Sequence, residues 1–139
     1  MTTEELWTKV FERVEQFRGF TYDWDGLGAY PPQKEHIDDI QQLLLVYQAK
    51  GVRPPNFLSL NDRGEIYLEW RDDKMCFELE YINSGKIEKW VYNLDGRKYA
   101  DPEYTTLEEL LNEVEEPPVI KFPVTGKAKV KFVKRESND

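Results

Sequence analysis

The 139 residues include one cysteine and one histidine, and that scarcity removes whole classes of chemistry at the outset. Cys76 has no second cysteine with which to close an internal disulfide, so stability must come from a packed core. A structural zinc site needs four thiolate or imidazole ligands, and Cys76 with His36 supplies too few, which excludes one. A catalytic triad would have to recruit His36, but neither a G-x-S-x-G elbow nor a reactive-cysteine signature accompanies it. The expectation is a solvated or helix-capping imidazole. Cys76 alternates with the apolar Met75 and Phe77, which places it on the more polar face of a middle strand as an inert thiol.

Long apolar runs are lacking too. The longest, Leu43 to Val46 with Tyr47, falls far short of the roughly 20 residues that span a bilayer as a helix. No apolar leader with a small-residue cleavage site precedes the first charged helix, and together with the single cysteine this implies a reducing cytoplasm. Basic charge is scarce as well: 19 Lys and Arg stand against 27 Asp and Glu, a net charge of −8. The imbalance is uneven, with −12 over residues 1–118 and +4 over residues 119–139. An acidic body repels phosphate, so nucleic acid is not an expected partner, and contact through the basic tail alone would be weak and salt-sensitive.

What is plentiful is large apolar surface. Hydrophobic residues make up 40% of the chain and aromatic residues 14%, enough for one core and too short a chain for two. The expectation is a single α+β domain over residues 1–139, in which the basic segment 119–139 is an edge strand or partly disordered. Thr2 and Glu5 form a capping box, followed at helical spacing by Leu6, Trp7, Val10, Phe11, Val14 and Phe17, which predicts a first helix over about residues 3–17. Gly19, Gly26, Gly28 and Pro31-Pro32 then enforce an irregular connection. A second helix is predicted from about Pro32 to Lys50, with Ile37, Ile40, Leu43, Leu44 and Tyr47 on one side and Gly51 at its end.

From Asn56 the period changes to two. Phe57–Leu60, Ile66–Trp70, Met75–Tyr81 and Ile87–Tyr92 read as four antiparallel strands joined by short turns, in a sheet of about four or five strands. In the middle pair the apolar residues alternate with Glu65, Tyr67, Glu69, Cys76, Glu78 and Glu80, so the face away from the helices is acidic and meets water or a partner. Thr106 and Glu109 predict another capping box and a short helix through Leu107, Leu110, Leu111 and Val114, ended by Pro117-Pro118. Lys127–Lys134 alternates lysine with apolar residues, the pattern of an edge strand protected from aggregation.

Candidate cation ligands sit in Asp23-Trp24-Asp25-Gly26-Leu27-Gly28. Carboxylates occupy the first and third places of an EF-hand loop and glycine the sixth, but Leu27 stands at the fifth and Lys34 at the twelfth, where a bidentate glutamate is needed. Aspartates in such a loop more often close a turn through their own backbone. Neither a Walker-type loop nor a G-x-G-x-x-G after a strand is present, and no cofactor or metal is expected. Glu69 with Glu78 or Glu80 is a conceivable catalytic pair across neighbouring strands, although solvent-facing carboxylates are the plainer account. Trp7, Phe20, Tyr22, Trp24 and Tyr30 cluster near the first interhelical loop, where any ring left exposed would be an interface anchor.

The segments Asp23-Trp24-Asp25-Gly26-Leu27-Gly28-Ala29, with Pro31 or Pro32 after them, and Arg63-Gly64-Glu65-Ile66-Tyr67-Leu68-Glu69-Trp70 resemble a family of small bacterial proteins. In that family a W-D-G/S-x-G-A-x-P loop, a helix and a D-G-E-I-x-L-E-W strand recur in order, over what would be residues 15–92 here. Arg63-Gly64 departs from the commoner Asp-Gly, and the basic tail has no counterpart. The resemblance implies an architecture and a bacterial or phage-like origin, and it supplies no reaction from which a catalytic residue could be carried over. Trp24 and Ala29 are expected over the sheet near Trp70, with Asp25 at the start of the second helix.

By elimination the leading functional expectation is a non-catalytic protein-binding module, of the immunity, antitoxin or inhibitor type, in a monomer or homodimer. It would use Tyr22, Trp24 and Tyr30 in the loop, or Glu69, Glu78 and Glu80 on the acidic sheet face to meet a basic partner. The alternative is a carboxylate-based enzyme, assisted by a divalent metal held by Asp23 and Asp25.

Overall fold

A computed structural model describes residues 1–94 and 101–113. It is an α+β fold: α1 (Thr3–Arg18) and α2 (Lys34–Ala49) precede a five-stranded sheet and a short later helix. The capping box at the first helix is complete, because Glu5 N–H donates to Thr2 Oγ1 at 3.0 Å while Thr2 N–H donates to Glu5 Oε1 at 2.8 Å. Two orphan donors of the first turn are thereby satisfied, and α1 buries Trp7, Val14 and Phe17 along its inner stripe. Gln33 starts α2 without a side-chain cap, and Gly51 ends that region at φ 85°, a conformation that costs glycine little. Ile37, Ile40, Leu43, Leu44 and Tyr47 are buried from α2.

The strands β1 (Phe57–Leu60), β2 (Ile66–Arg71), β3 (Met75–Tyr81), β4 (Ile87–Asn93) and β5 (Glu103–Thr105) pair in sequence order as an antiparallel meander. The short turns from β1 to β4 permit only this kind of neighbour pairing. Leu58 opposite Leu68, Trp70 opposite Phe77 and Tyr81 opposite Ile87 set the register of the inner face. That face joins the helices in one core with Trp7, Phe17, Ile40, Leu44 and Tyr47. Trp70 is fully buried, tilted against Tyr47 and Phe77 at 5.4 and 5.6 Å, and donates its indole N–H to the Arg53 carbonyl. Among the described residues no helix is long and apolar enough to cross a membrane.

Three features differ from the reading of the sequence. His36 is buried rather than solvated or capping: its ring stacks on Tyr81 at 4.2 Å, and its Nδ1 has no hydrogen-bond partner among the described residues. β5 pairs with β4 through only three residues, too few to show a period. The later helix, α3 (Leu107–Glu113), is half-capped: Glu109 N–H donates to Thr106 Oγ1 at 3.1 Å, but the Glu109 carboxylate accepts from Thr105 Oγ1 instead of returning to Thr106. The end of that helix at Pro117-Pro118 and the strand expected over Lys127–Lys134 lie outside the described residues.

Candidate functional site

The connection between α1 and α2 is irregular yet closely braced. Asp23 stands at φ 70°, Gly26 at φ 77° and Gly28 at φ 86°, left-handed positions that only glycine and short polar residues adopt cheaply. Asp23 Oδ1 accepts from Gly28 N–H at 2.7 Å, and Asp25 Oδ1 accepts from Leu27 and Ala29 N–H at 2.8 and 3.0 Å. Asp23 N–H donates to the Ala29 carbonyl at 2.7 Å, and the Trp24 indole N–H donates to the Tyr30 carbonyl at the same distance. The two aspartates therefore act as turn residues, and the Leu27 N–H holds the exposed Asp25 carboxyl below its usual range.

This bracing replaces the arrangement expected from the sequence. Asp25 serves its own loop and not the start of α2. Trp24 stacks on Phe20 at 5.0 Å, and Trp70 finds its partners within the core. Trp7 stacks on Phe11 within α1 at 5.5 Å. The loop presents Tyr22, Leu27 and Tyr30 to solvent at 59%, 87% and 58% exposure, with the two tyrosine rings 5.0 Å apart. Of the predicted loop residues, Tyr22 and Tyr30 face outward together, while Trp24 is half-buried against Phe20.

The turn between β1 and β2 carries the loop. Tyr30 N–H donates to the Asp62 carbonyl at 2.9 Å, and Gly64 at φ 79° lies against Pro31. Inside the same turn, buried Glu65 accepts from Asn61 Nδ2, Arg63 Nε and Asn83 N–H. Burial pushes the Glu65 carboxyl up, but these three donors more than reverse it and leave it low. Glu80, half-buried beside it, accepts from Asn61 Nδ2 at 3.2 Å; burial, then the charges of Glu65 and Glu88, raise it.

Glu69 and Glu78 stand opposite each other on the outer face of the sheet. Both are buried, so they do not form the solvent-lit acidic surface that alternation suggested, and Glu80 sits apart from them in the Asn61 network. Glu69 accepts from the Tyr67 hydroxyl at 2.5 Å and from Arg71 Nε at 2.6 Å; Glu78 accepts from the Tyr92 hydroxyl and from Cys76 Sγ at 3.7 Å. Burial raises both tyrosine hydroxyls, and it pushes the Cys76 thiol up to about 11. The cysteine is thus a protonated donor at neutral pH, not a nucleophile.

Among the described residues, Glu69, Cys76 and Glu78 form the one group of three whose ligand atoms lie within 4.8 Å of one another. Alternation along β2 and β3 puts all three on one face, but only the pairing of the two strands shows how close their ligand atoms come. A divalent ion there would have to displace the thiol proton and compete with Arg71 and two tyrosines. The donors present make a closed hydrogen-bond network. No known protein family, curated protein or solved structure matches the chain.

Proposed function

We propose that this protein is a non-catalytic protein-binding module and that the Tyr22–Tyr30 loop is its docking surface. One observation carries the reading: a loop locked by its own aspartates and by the β1–β2 turn holds Tyr22, Leu27 and Tyr30 out in water. Large apolar side chains on a pre-ordered backbone lose little conformational entropy on binding, which is what makes aromatic anchors effective. The same loop carries Asp23 and Asp25 and no basic residue, so a basic partner surface suits it by complementary potential. A small acidic domain of this design fits an immunity protein, an antitoxin or an inhibitor, working in the cytoplasm. The likeness to the small bacterial family rests on this loop and the following strand, and their contact at Gly64 and Pro31 supports a shared framework.

Photo-crosslinking in cells tests the reading. A photoreactive phenylalanine at position 22 or 30 is expected to give one discrete adduct with a different protein, lost on Leu27→Ser, while the same group at Glu12 gives none. Absence of any adduct from both loop positions, or equal adducts from Glu12, defeats the reading.

A further inference from the structure

Between α1 and the segment leading into β1 lies a groove of about 550 Å³, within the range of roughly 300–1,000 Å³ usual for small-molecule sites. Its apolar wall comes from Leu6 and Val10 on one side and from Pro54, Pro55 and Leu58 on the other. Leu6 is 42% exposed, so this wall is open to an occupant and is not simply core. The charged residues of the lining are Lys9, Arg13 and Arg53, with no carboxylate among them. In a chain of net charge −8, a groove with three cations and no acid reverses the local sign. The adjacent hollow on α1, lined by Thr8, Phe11, Glu12, Glu15 and Gln16, has the opposite character.

The cations are placed differently. Arg53 is anchored as part of the wall, donating to Asn56 Oδ1 and the Arg71 carbonyl. Arg13 lies over the Phe17 and Phe20 rings at 5.1 and 5.9 Å and bonds Gln16, without a carboxylate partner among the described residues. Lys9, one turn before Arg13 on the same helix face, is exposed and makes no ion pair among the described residues. Salt-bridged partners occupy the other end of α1, where Arg18 holds Glu15 and Asp38.

We propose that this groove binds a small anionic amphiphile, with a carboxylate head on Lys9 and Arg13 and an apolar body along Leu6, Val10, Pro54, Pro55 and Leu58. The site is separate from the Tyr22–Tyr30 loop and stands whether or not that loop docks a protein. Its chemistry requires both parts. The head alone meets exposed cations that water and salt screen, and the body alone gains only the area it covers.

Titration of the isotope-labelled protein with decanoate, decanol and acetate, followed by amide NMR shifts, tests it. Saturable shifts confined to residues 3–13 and 53–58 are expected with decanoate, with decanol at least about tenfold weaker and acetate without effect. Lys9→Gln with Arg13→Gln is expected to weaken decanoate about tenfold and leave decanol unchanged. Leu6→Ser, at a half-exposed position that the fold does not need, weakens both long-chain ligands and guards against misfolding of the charge variant. Decanoate binding unaffected by the double substitution, shifts elsewhere in the protein, or no saturation at millimolar ligand overturns the proposal. So do shifts in the groove with a Glu-rich hexapeptide and none with decanoate, which would assign the groove to an acidic peptide.

Discussion

Gly64 lies so close to Pro31 that a side-chain carbon on it would stand 2.3 Å from the Pro31 carbonyl oxygen, with φ at +79° as well. The turn between β1 and β2 therefore meets the docking loop backbone to backbone, and only a residue without a Cβ allows the approach. Gly64→Ala is expected to destabilise by more than about 2 kcal/mol, through strain and displaced backbone together. Gly85→Ala, with φ +95° and nothing within 4 Å of the added carbon, carries the strain alone and should lose about 1 kcal/mol. Urea unfolding of both variants measures the difference, and equal losses would remove the contact from the account.

Asp25 braces the loop as an acceptor, and the N–H groups it accepts from favour its ionised form. Asp25→Asn retains Oδ1 for Leu27 and Ala29 N–H but gives up the charge they favour, and should lower Tm slightly while leaving photo-crosslinking from position 30 in place. Asp25→Ala removes the acceptor and is expected to lower both. If the two variants behave alike in thermal unfolding and crosslinking, the bracing role is wrong.

Glu65 and Glu80 share Asn61 but respond to pH with opposite sign. Glu65 is held low, so its stabilisation is present above the unfolded carboxylate range and is lost as pH falls through its folded value. Glu65→Gln leaves one buried donor without an acceptor and should cost about 1–3 kcal/mol at pH 7, a deficit that narrows in acid. Glu80 is held high, so the folded state favours its protonated form, and that contribution is lost as pH rises through its folded value. Glu80→Gln should gain stability at pH 7 and little at pH 4. Chemical denaturation of both variants across pH 3.5–7 reads the two slopes.

His36 is buried and held below its ordinary value by that burial, against the pull of Asp39 and Glu35. The unfolded chain takes up its proton first, so stability is full above the unfolded value near about 6.5 and declines as pH falls below it. His36→Phe keeps a ring against Tyr81 and gives up no hydrogen bond at Nδ1. Its stability should be flatter than wild type between pH 6.5 and 5 in the same denaturation series, and an unchanged slope would exonerate the histidine.

Cys76 is fully buried and raised to about 11 by that burial. A thiol-specific disulfide reagent at pH 8 should therefore modify the folded protein at the rate of its unfolding, and urea above the midpoint should make the reaction complete within minutes. Fast modification of the native protein would show the outer sheet face to be open.

Much of the fold was legible because its signals are local. The reciprocal Thr2 and Glu5 bonds and the period of two in β2 and β3 each depend on residues a few positions apart. Alternation also assigned Glu69, Cys76 and Glu78 to one face. It could not show that they are buried, because a two-residue period names a face without naming what lies over it. His36 misled for a similar reason: its place early in α2 suggested a cap, but its ring meets Tyr81, which lies 45 residues later in the chain. The cationic groove escaped notice altogether, since Lys9 and Arg13 come together with Arg53 only after α1 packs beside β1. The Tyr22–Tyr30 cluster was visible as composition, while its bracing by Asp62 and Gly64 required tertiary structure.

The β1–β2–β3–β4–β5 order also governs how the molecule is made. Each strand finds its partner across one short connection for β1 through β4, so little chain entropy is spent per closure, and the three inner hairpin contacts can zip in succession. The distant encounters are those between the N-terminal helices and the finished inner face, such as Tyr47 with Trp70. Mean sequence separation sets folding rates in small domains. Docking of the helical layer spans more chain than any of these hairpins, and substitutions at Tyr47 are expected to slow refolding more than equally destabilising ones in the β3–β4 hairpin.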